Sequence, residues 1–191
     1  MSALSVRDLR REDIPLIDAY WSSLTSEDLE RMFIDPKKLS ADADFRNRLS
    51  KLIDTPLLDR AADPLIWECD GKAVGFTNLN NIQRGFEADI HLHLFEGSVR
   101  AKGLGRRLFA KSVQKYFERH DLKRIVCQPA STNSAPNGLM KALGVPVART
   151  HQTIPSAICF EHEVNRYEIT KTWVTEICRL HELPMTQQKS I

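Results

Sequence analysis

Arg100-Ala101-Lys102-Gly103-Leu104-Gly105-Arg106-Arg107 stands directly ahead of an amphipathic helix in which Leu104, Leu108, Phe109, Val113, Tyr116 and Phe117 recur on one broad face. Such a helix ordinarily opens with a Ser, Thr, Asp or Asn cap and acidic residues in its first turn. Here the cap position falls on glycine or lysine. Arg100, Lys102, Arg106 and Arg107 crowd the first turn and its approach, each opposed to the helix dipole by roughly 0.3–1 kcal/mol. A bound anion resolves the mismatch: a phosphate accepts hydrogen bonds from the free helix amides while the glycines let the backbone come close.

The 191 residues, 42% hydrophobic and 27% charged, suit one globular domain with a full core. The start Met1-Ser2-Ala3-Leu4-Ser5-Val6-Arg7 lacks the apolar core of a secretory leader, and no run approaches the ~18 apolar residues of a membrane span, so we expect a cytoplasmic protein. Cys69, Cys127, Cys159 and Cys178 form no Cys-x-x-Cys pair and read as reduced, mostly buried thiols. A net charge of +2 argues against nucleic acid as the main partner. The charge is unevenly spread, since residues 100–124 hold nine Lys or Arg against Glu118 and Asp121. Of these, Lys111, Lys115 and Arg119 read as a solvated helix face.

Hydrophobic periodicity predicts a strand over 4–10, then a helix capped by Asp13 with Pro15 in its first turn. A short helix follows from Ser26 to about Phe33, and another helical stretch over 40–60 is broken at Pro56. Together these make a helical insertion over about 22–60. Strands at 65–69 and 73–79 flank an Asp70-Gly71-Lys72 hairpin turn, and a third, 88–95, leads into the glycine loop. After the helix from Leu104 to about His120 come a strand at 123–128 and a helix from Ser134 to Leu143 ended by Gly144. Strands at 146–154 and 158–169 and a helix over 170–180 close a single domain of residues 1–183, leaving a polar tail, 184–191.

This order of elements resembles the GCN5-related N-acetyltransferase superfamily over nearly the whole chain. Arg100-Ala101-Lys102-Gly103-Leu104-Gly105 is similar to its pyrophosphate-binding pattern of Gln or Arg, two residues, Gly, one residue, then Gly or Ala. Asn133-x-x-Pro136-x-x-x-Met140-Lys141-x-Leu143-Gly144 and the ending Tyr167-Glu168-Ile169-Thr170 before Trp173 resemble the ribosomal-protein N-acetyltransferase branch. The resemblance implies an α+β (αβα) fold, with a central mixed, mostly antiparallel, twisted sheet of about six to seven strands flanked by helices. A dinucleotide site would need three glycines early in a βαβ unit, and a P-loop would need Gly-Lys-Ser or Gly-Lys-Thr; neither is present.

The resemblance further implies acetyl-CoA as cosubstrate, no metal, and direct attack of a primary amine on the thioester in a ternary complex. The pyrophosphate would be held by Arg100, Lys102, Gly103, Leu104, Gly105 and Arg106, with Arg107 near. The backbone N–H of Phe95 would meet the oxyanion, and Asn133 would contact the pantetheine arm or cap its helix. His91 and His93 alternate with apolar neighbours, so both project from one strand face. They resemble the His-x-His strand of arylalkylamine N-acetyltransferases, about two residues nearer the loop. We expect His93 as general base and His91 as relay or orienter. Met140 replaces the tyrosine that many relatives use as general acid, which leaves Tyr167 or solvent for that task. Cys127 reads as core. Asn78, Asn80, Asn81, Glu87, Asp89 and the Glu161-His162-Glu163 segment are candidates to read the acceptor, or solvated polar residues.

The acceptor is a protein N-terminus, a small amine or an aminoglycoside-like compound. A wide acidic groove beside His93 would favour a basic protein or polyamine, and a closed apolar pocket a small arylalkylamine. The alternatives are a non-catalytic acyl-CoA-binding regulatory module and a metal site on His91 and His93, for which spacing fixes no third ligand. The last helix, with Trp173, Val174, Ile177 and Leu180, is expected to pack internally, in a monomer or homodimer, with no nucleic acid or membrane partner.

Overall fold

Alternating apolar residues build strands whose two faces are claimed by different helices. The computed structural model describes residues 2–40, 45–95 and 104–180, the side chains of residues 40 and 177–180 excepted. Its strands are β1 (Leu4–Asp8), β2 (Asp63–Cys69), β3 (Lys72–Asn80), β4 (Glu87–Leu94), β5 (Arg124–Cys127), β6 (Val147–Thr153) and β7 (His162–Thr170). The helices are α1 (Ile14–Ser22), α2 (Ser26–Arg31), α3 (Pro36–Ser40), α4 (Phe45–Asp54), α5 (Leu104–His120), α6 (Ser134–Ala142) and α7 (Lys171–Leu180). The described strands form one seven-stranded sheet in the order β1-β2-β3-β4-β5-β7-β6, antiparallel except for β4 and β5. This is the expected mixed α+β architecture, with strand ends displaced by a few residues from the hydrophobic pattern.

Even-numbered residues of β4 (Ala88, Ile90, Leu92, Leu94) face a large core that contains Leu65, Trp67, Leu79 and, from α5, Leu108, Phe109, Val113 and Tyr116. Ile66 of β2 and Phe76 of β3 turn the other way, into a smaller core with Ile14, Ile17 and Leu49 of the helical insertion. Val174 of α7 is buried and Trp173 is packed against the larger core. The described part of that helix therefore packs internally, as its apolar face predicts.

Two expected roles change. Asp13 precedes α1 without capping it through its side chain. Its carboxylate instead takes both terminal nitrogens of Arg7 at 2.6 and 2.8 Å and the Arg10 amide at 2.8 Å, bracing the end of β1. Arg119 is not part of a solvated face. With its guanidinium bonded to Asp63 at 3.1–3.2 Å and to Asp8, it belongs to a buried network beneath α5. Asp63 is fully buried and also meets His120 Nε2 at 2.9 Å, while Arg84 donates to His120 Nδ1 at 3.0 Å. Because Arg84 can only donate, His120 carries its proton on Nε2 and donates it to Asp63. Tyr116 donates to the Asp63 carbonyl at 2.8 Å, and Trp67 Nε1 to Ser112 at 2.7 Å, fixing the helix against β2.

Removing one partner of such a buried set strands the others in low dielectric. Asp63→Ala should destabilise the fold by about 3–5 kcal/mol in urea denaturation; a loss under ~1 kcal/mol would mean the network does not anchor α5.

Candidate active site

β4 and β5 pair through only three residues, Glu87↔Arg124, Ala88↔Ile125 and Asp89↔Val126, and then part. Along β4 the backbone groups alternate between neighbours. Phe95 donates its N–H to Val74 of β3 at 3.0 Å, so the odd-numbered residues serve the β3 ladder and the even-numbered ones point toward β5. Beyond Asp89 no described strand meets them there, and the N–H groups of Leu92 and Leu94 face the gap. The Phe95 amide, expected at the oxyanion, is thus a rung of the sheet. Its ring lies against Tyr20 and Phe76 at 6.1 and 5.8 Å between centroids.

The same alternation sends His91 and His93 to one face, as expected. Gly75 lets β3 lie this close to β4, since a Cβ there would stand 2.4 Å from the His93 carbonyl oxygen. His93 is enclosed by rings: Phe76 stacks on it at 4.8 Å and 24°, Trp21 meets it edge-on at 4.8 Å, and the Tyr20 hydroxyl lies 3.0 Å from Nδ1. Burial, with a smaller contribution from His91, pushes its pKa down to about 3. His91 is also lowered by burial, opposed by the nearby charge of Asp89. No hydrogen bond occupies the His91 ring among the described residues.

Both histidines line a cavity of about 720 Å³ between the sheet and the helical insertion. Asn78, Asn80, Asn81 and His162 border it as well. Asn78 donates to Asn80 at 2.9 Å, but its own Oδ1 is buried without a partner. The loop before β7 crosses the cavity and is tied to the insertion: Asp35 N–H donates to Ile158 at 2.8 Å, Phe160 N–H to Phe33 at 2.9 Å, and Lys38 Nζ to the Cys159 carbonyl at 2.9 Å. His162 stacks on Phe33 at 4.3 Å beneath this strap.

Arg100, Lys102 and Gly103 lie outside the described residues. Leu104 begins α5, whose first turn holds no acidic residue, in keeping with the mismatch read from the sequence. Arg106 is exposed, and Arg107 Nε is buried without a partner. A Cβ at Gly105 would meet nothing within 4 Å, so the protein's own packing does not demand glycine inside this helix.

Asn133 stands at the N-cap of α6, yet its side chain makes no capping bond, and its Oδ1 is buried, unpartnered and beside the cavity. Asn137, one turn on, was not singled out by sequence. Its Nδ2 donates to the carbonyls of Ala130 and Asn133 at 2.8 and 2.7 Å, and its Oδ1 accepts from Asn165 and the Tyr167 hydroxyl at 2.9 and 2.8 Å. Only the i, i+4 spacing of Asn133 and Asn137 hinted at it. Tyr20, Trp21 and Phe76, the cage around His93, were equally invisible because they come from two distant segments.

Other candidates are placed elsewhere. Glu87 is paired with Arg124 at 2.6 Å and Arg166 at 3.1 Å, and Asp89 accepts from Asn81 at 2.8 Å. Glu161 and Glu163 are exposed and do not border the cavity. Burial drives the Cys127 thiol up to about 12, leaving it an inert core residue. The described residues contain no group of three His, Cys, Asp or Glu able to hold a metal ion, and no described helix is long and apolar enough to cross a membrane.

Solved structures share this fold. A ribosomal L7/L12 alpha-N-protein acetyltransferase, RimL, in complex with coenzyme A matches at a TM-score of 0.69 and 19% identity, over 87% of this chain and 93% of that one. Spermidine N-acetyltransferase from Vibrio cholerae in complex with CoA and spermine gives 0.69 and 18%, over 90% and 98%. Ribosomal-protein-S5-alanine acetyltransferase from Vibrio fischeri gives 0.68 and 17%, over 91% and 98%. Among curated proteins no sequence match is found. The model of the acetyltransferase (GNAT) family matches residues 16–145, a span that runs from α1 through the parting strands and α5 to the end of α6, and the chain belongs to that family.

Proposed function

We propose that the chain is an acetyl-CoA-dependent N-acetyltransferase that passes the acetyl group to a primary amine by direct attack in a ternary complex. The observation that carries this is the gap between β4 and β5, with two outward amides on one side and the orphaned Asn133 Oδ1 nearby. These residues fit the pantetheine arm of CoA, which offers amide donors and acceptors to just such groups. The open space at Gly105 and the uncapped, cationic start of α5 suit a pyrophosphate, to which Arg106 and Arg107 add charge. Arg100, Lys102 and Gly103 complete that assignment from sequence, and the domain is taken as residues 1–183.

When bound, acetyl-CoA supplies a thioester carbon open to nucleophiles. The amine nitrogen bonds to that carbon, the C–S bond breaks, the sulfur leaves as a thiolate that takes up a proton, and the amine loses one proton. The N–H of Leu92 or Leu94 is the chain's donor to the oxyanion, worth on the order of 3 kcal/mol of barrier. For the base we reverse the order expected from sequence. His91 has free ring nitrogens and takes the proton; His93, caged by rings and hydrogen-bonded to Tyr20, positions the floor of the site. Tyr167 already donates its hydroxyl to Asn137, so solvent is the better source of the thiolate's proton.

Isothermal titration should show micromolar acetyl-CoA binding, and its absence overturns the reading. Gly105→Ala should bind CoA normally and gain about 0.5–1 kcal/mol of stability from helix propensity. Gly105→Leu should remain folded but lose at least ~10-fold in CoA affinity, about 1.4 kcal/mol. His91→Ala should lower kcat/KM by about 10²-fold at pH 7, with the deficit shrinking as pH rises and the amine becomes neutral without help. A larger loss in His93→Ala than in His91→Ala would restore the original order.

His93 also ties stability to pH. The unfolded chain protonates it near its ordinary value of 6.5, the folded chain only near 3. The folded state is therefore favoured above 6.5 and loses stability as pH falls from there toward 3, His91 acting in the same direction. The drop in urea midpoint between pH 7 and 5 should be smaller in His93→Gln than in the parent; an equal drop would contradict a neutral His93.

A further inference from the structure

Resting on the reading above, we infer that the acceptor is a small primary monoamine carried on an apolar group of about aromatic-ring size. The cavity that His91 and His93 line is also bordered by Trp21, Leu29, Met32, Phe45, Leu49 and Phe76, from α1, α2 and the residue after it, α4 and β3. Charge around it is sparse. Among the described lining residues Asp18 is the one carboxylate, and its charge is already met by the Arg46 guanidinium. The cationic lining residue Arg48 lies over the Phe45 ring at 5.9 Å. A polyamine would bring two or more positive charges into this space, where among the described lining residues no carboxylate lacks a basic partner, an unfavourable burial.

A monoamine poses a smaller demand. One nitrogen needs one or two acceptors, and the buried, unpartnered Oδ1 of Asn78, cross-strand from His91, is such an acceptor. The Trp21 ring, which meets His93 edge-on, tolerates a single cation before it is deprotonated. The remainder of the ligand then buries apolar surface against these side chains. The segment from Pro155 to Cys159 lines the cavity and is tied to the insertion by backbone bonds from Asp35 to Ile158 and from Phe160 to Phe33. A space bounded there by tethered backbone suits a small molecule better than a protein N-terminus. The reaction is the one described above: the N–C bond forms, the thioester C–S bond breaks, and one proton leaves the amine.

The test is steady-state turnover at saturating acetyl-CoA with phenethylamine, spermidine and a lysine-rich peptide bearing an alanine N-terminus. Phenethylamine should exceed both others in kcat/KM by at least ~100-fold, equivalent to about 2.7 kcal/mol. Spermidine or the peptide matching it would overturn the inference. Trp21→Ala, checked for folding by circular dichroism, should raise the phenethylamine KM at least tenfold with acetyl-CoA affinity retained, and Trp21→Phe should largely restore it. An unchanged KM in Trp21→Ala counts against the pocket. Asn78→Asp should narrow the preference over spermidine at least tenfold, and an unaltered ratio would sink the role of Asn78. Acetyl-CoA affinity separates the two levels: no binding fails the enzyme reading itself, whereas binding with the wrong preference fails only the acceptor class.

Discussion

Three residue pairs hold β4 to β5, and the fourth does not form. A parallel pair interrupted so early leaves backbone donors and acceptors pointing into space, a state that ordinarily has to be repaired by a strand, a side chain or a ligand. In this fold the parting also sorts the backbone of β4 into two sets. One set closes the ladder with β3, and the other faces the gap. Everything proposed about catalysis follows from that division, because it decides which amides meet a thioester carbonyl and which face carries the histidines.

α5 is the counterpart of the gap. Its C-terminal half is tied down by polar bonds: Arg119 and His120 converge on the buried Asp63, and Lys115 and Arg119 on Asp8. Its N-terminal turn has cations but no acidic residue. The two ends of one basic helix thus differ, one neutralised within the protein and the other without an acidic residue in its first turn. Their difference comes from the neighbours each end packs against, not from the helix itself.

Much of the architecture was legible from pattern. Period-two alternation located β2, β3 and β4, and period-3.6 spacing located α5 from Leu104 to His120 because its apolar stripe is broad and uninterrupted. Misreadings came where a side chain had a partner outside its own helix. Asp13 has the local look of a cap but answers to Arg7, and Arg119 looks solvated until Asp63, far away in sequence, is folded beneath it. Phe95 was chosen by resemblance to the family strand that meets the acetyl carbonyl, whereas hydrogen-bond parity, which the Phe95–Val74 bond sets, turns Leu92 and Leu94 toward the gap.

By itself the sequence determined the family-like order of elements, the anion-seeking start of α5 and the shared face of His91 and His93. These are local properties, written in periodicity, glycine placement and charge. Only the tertiary structure decided which histidine is caged, which strand amides face the gap and how little charge the described residues bring to the cavity. Those depend on Tyr20 and Trp21 from α1 meeting Phe76 and His93 from the sheet, and burial among such distant partners is what sets a side chain's charge and reach.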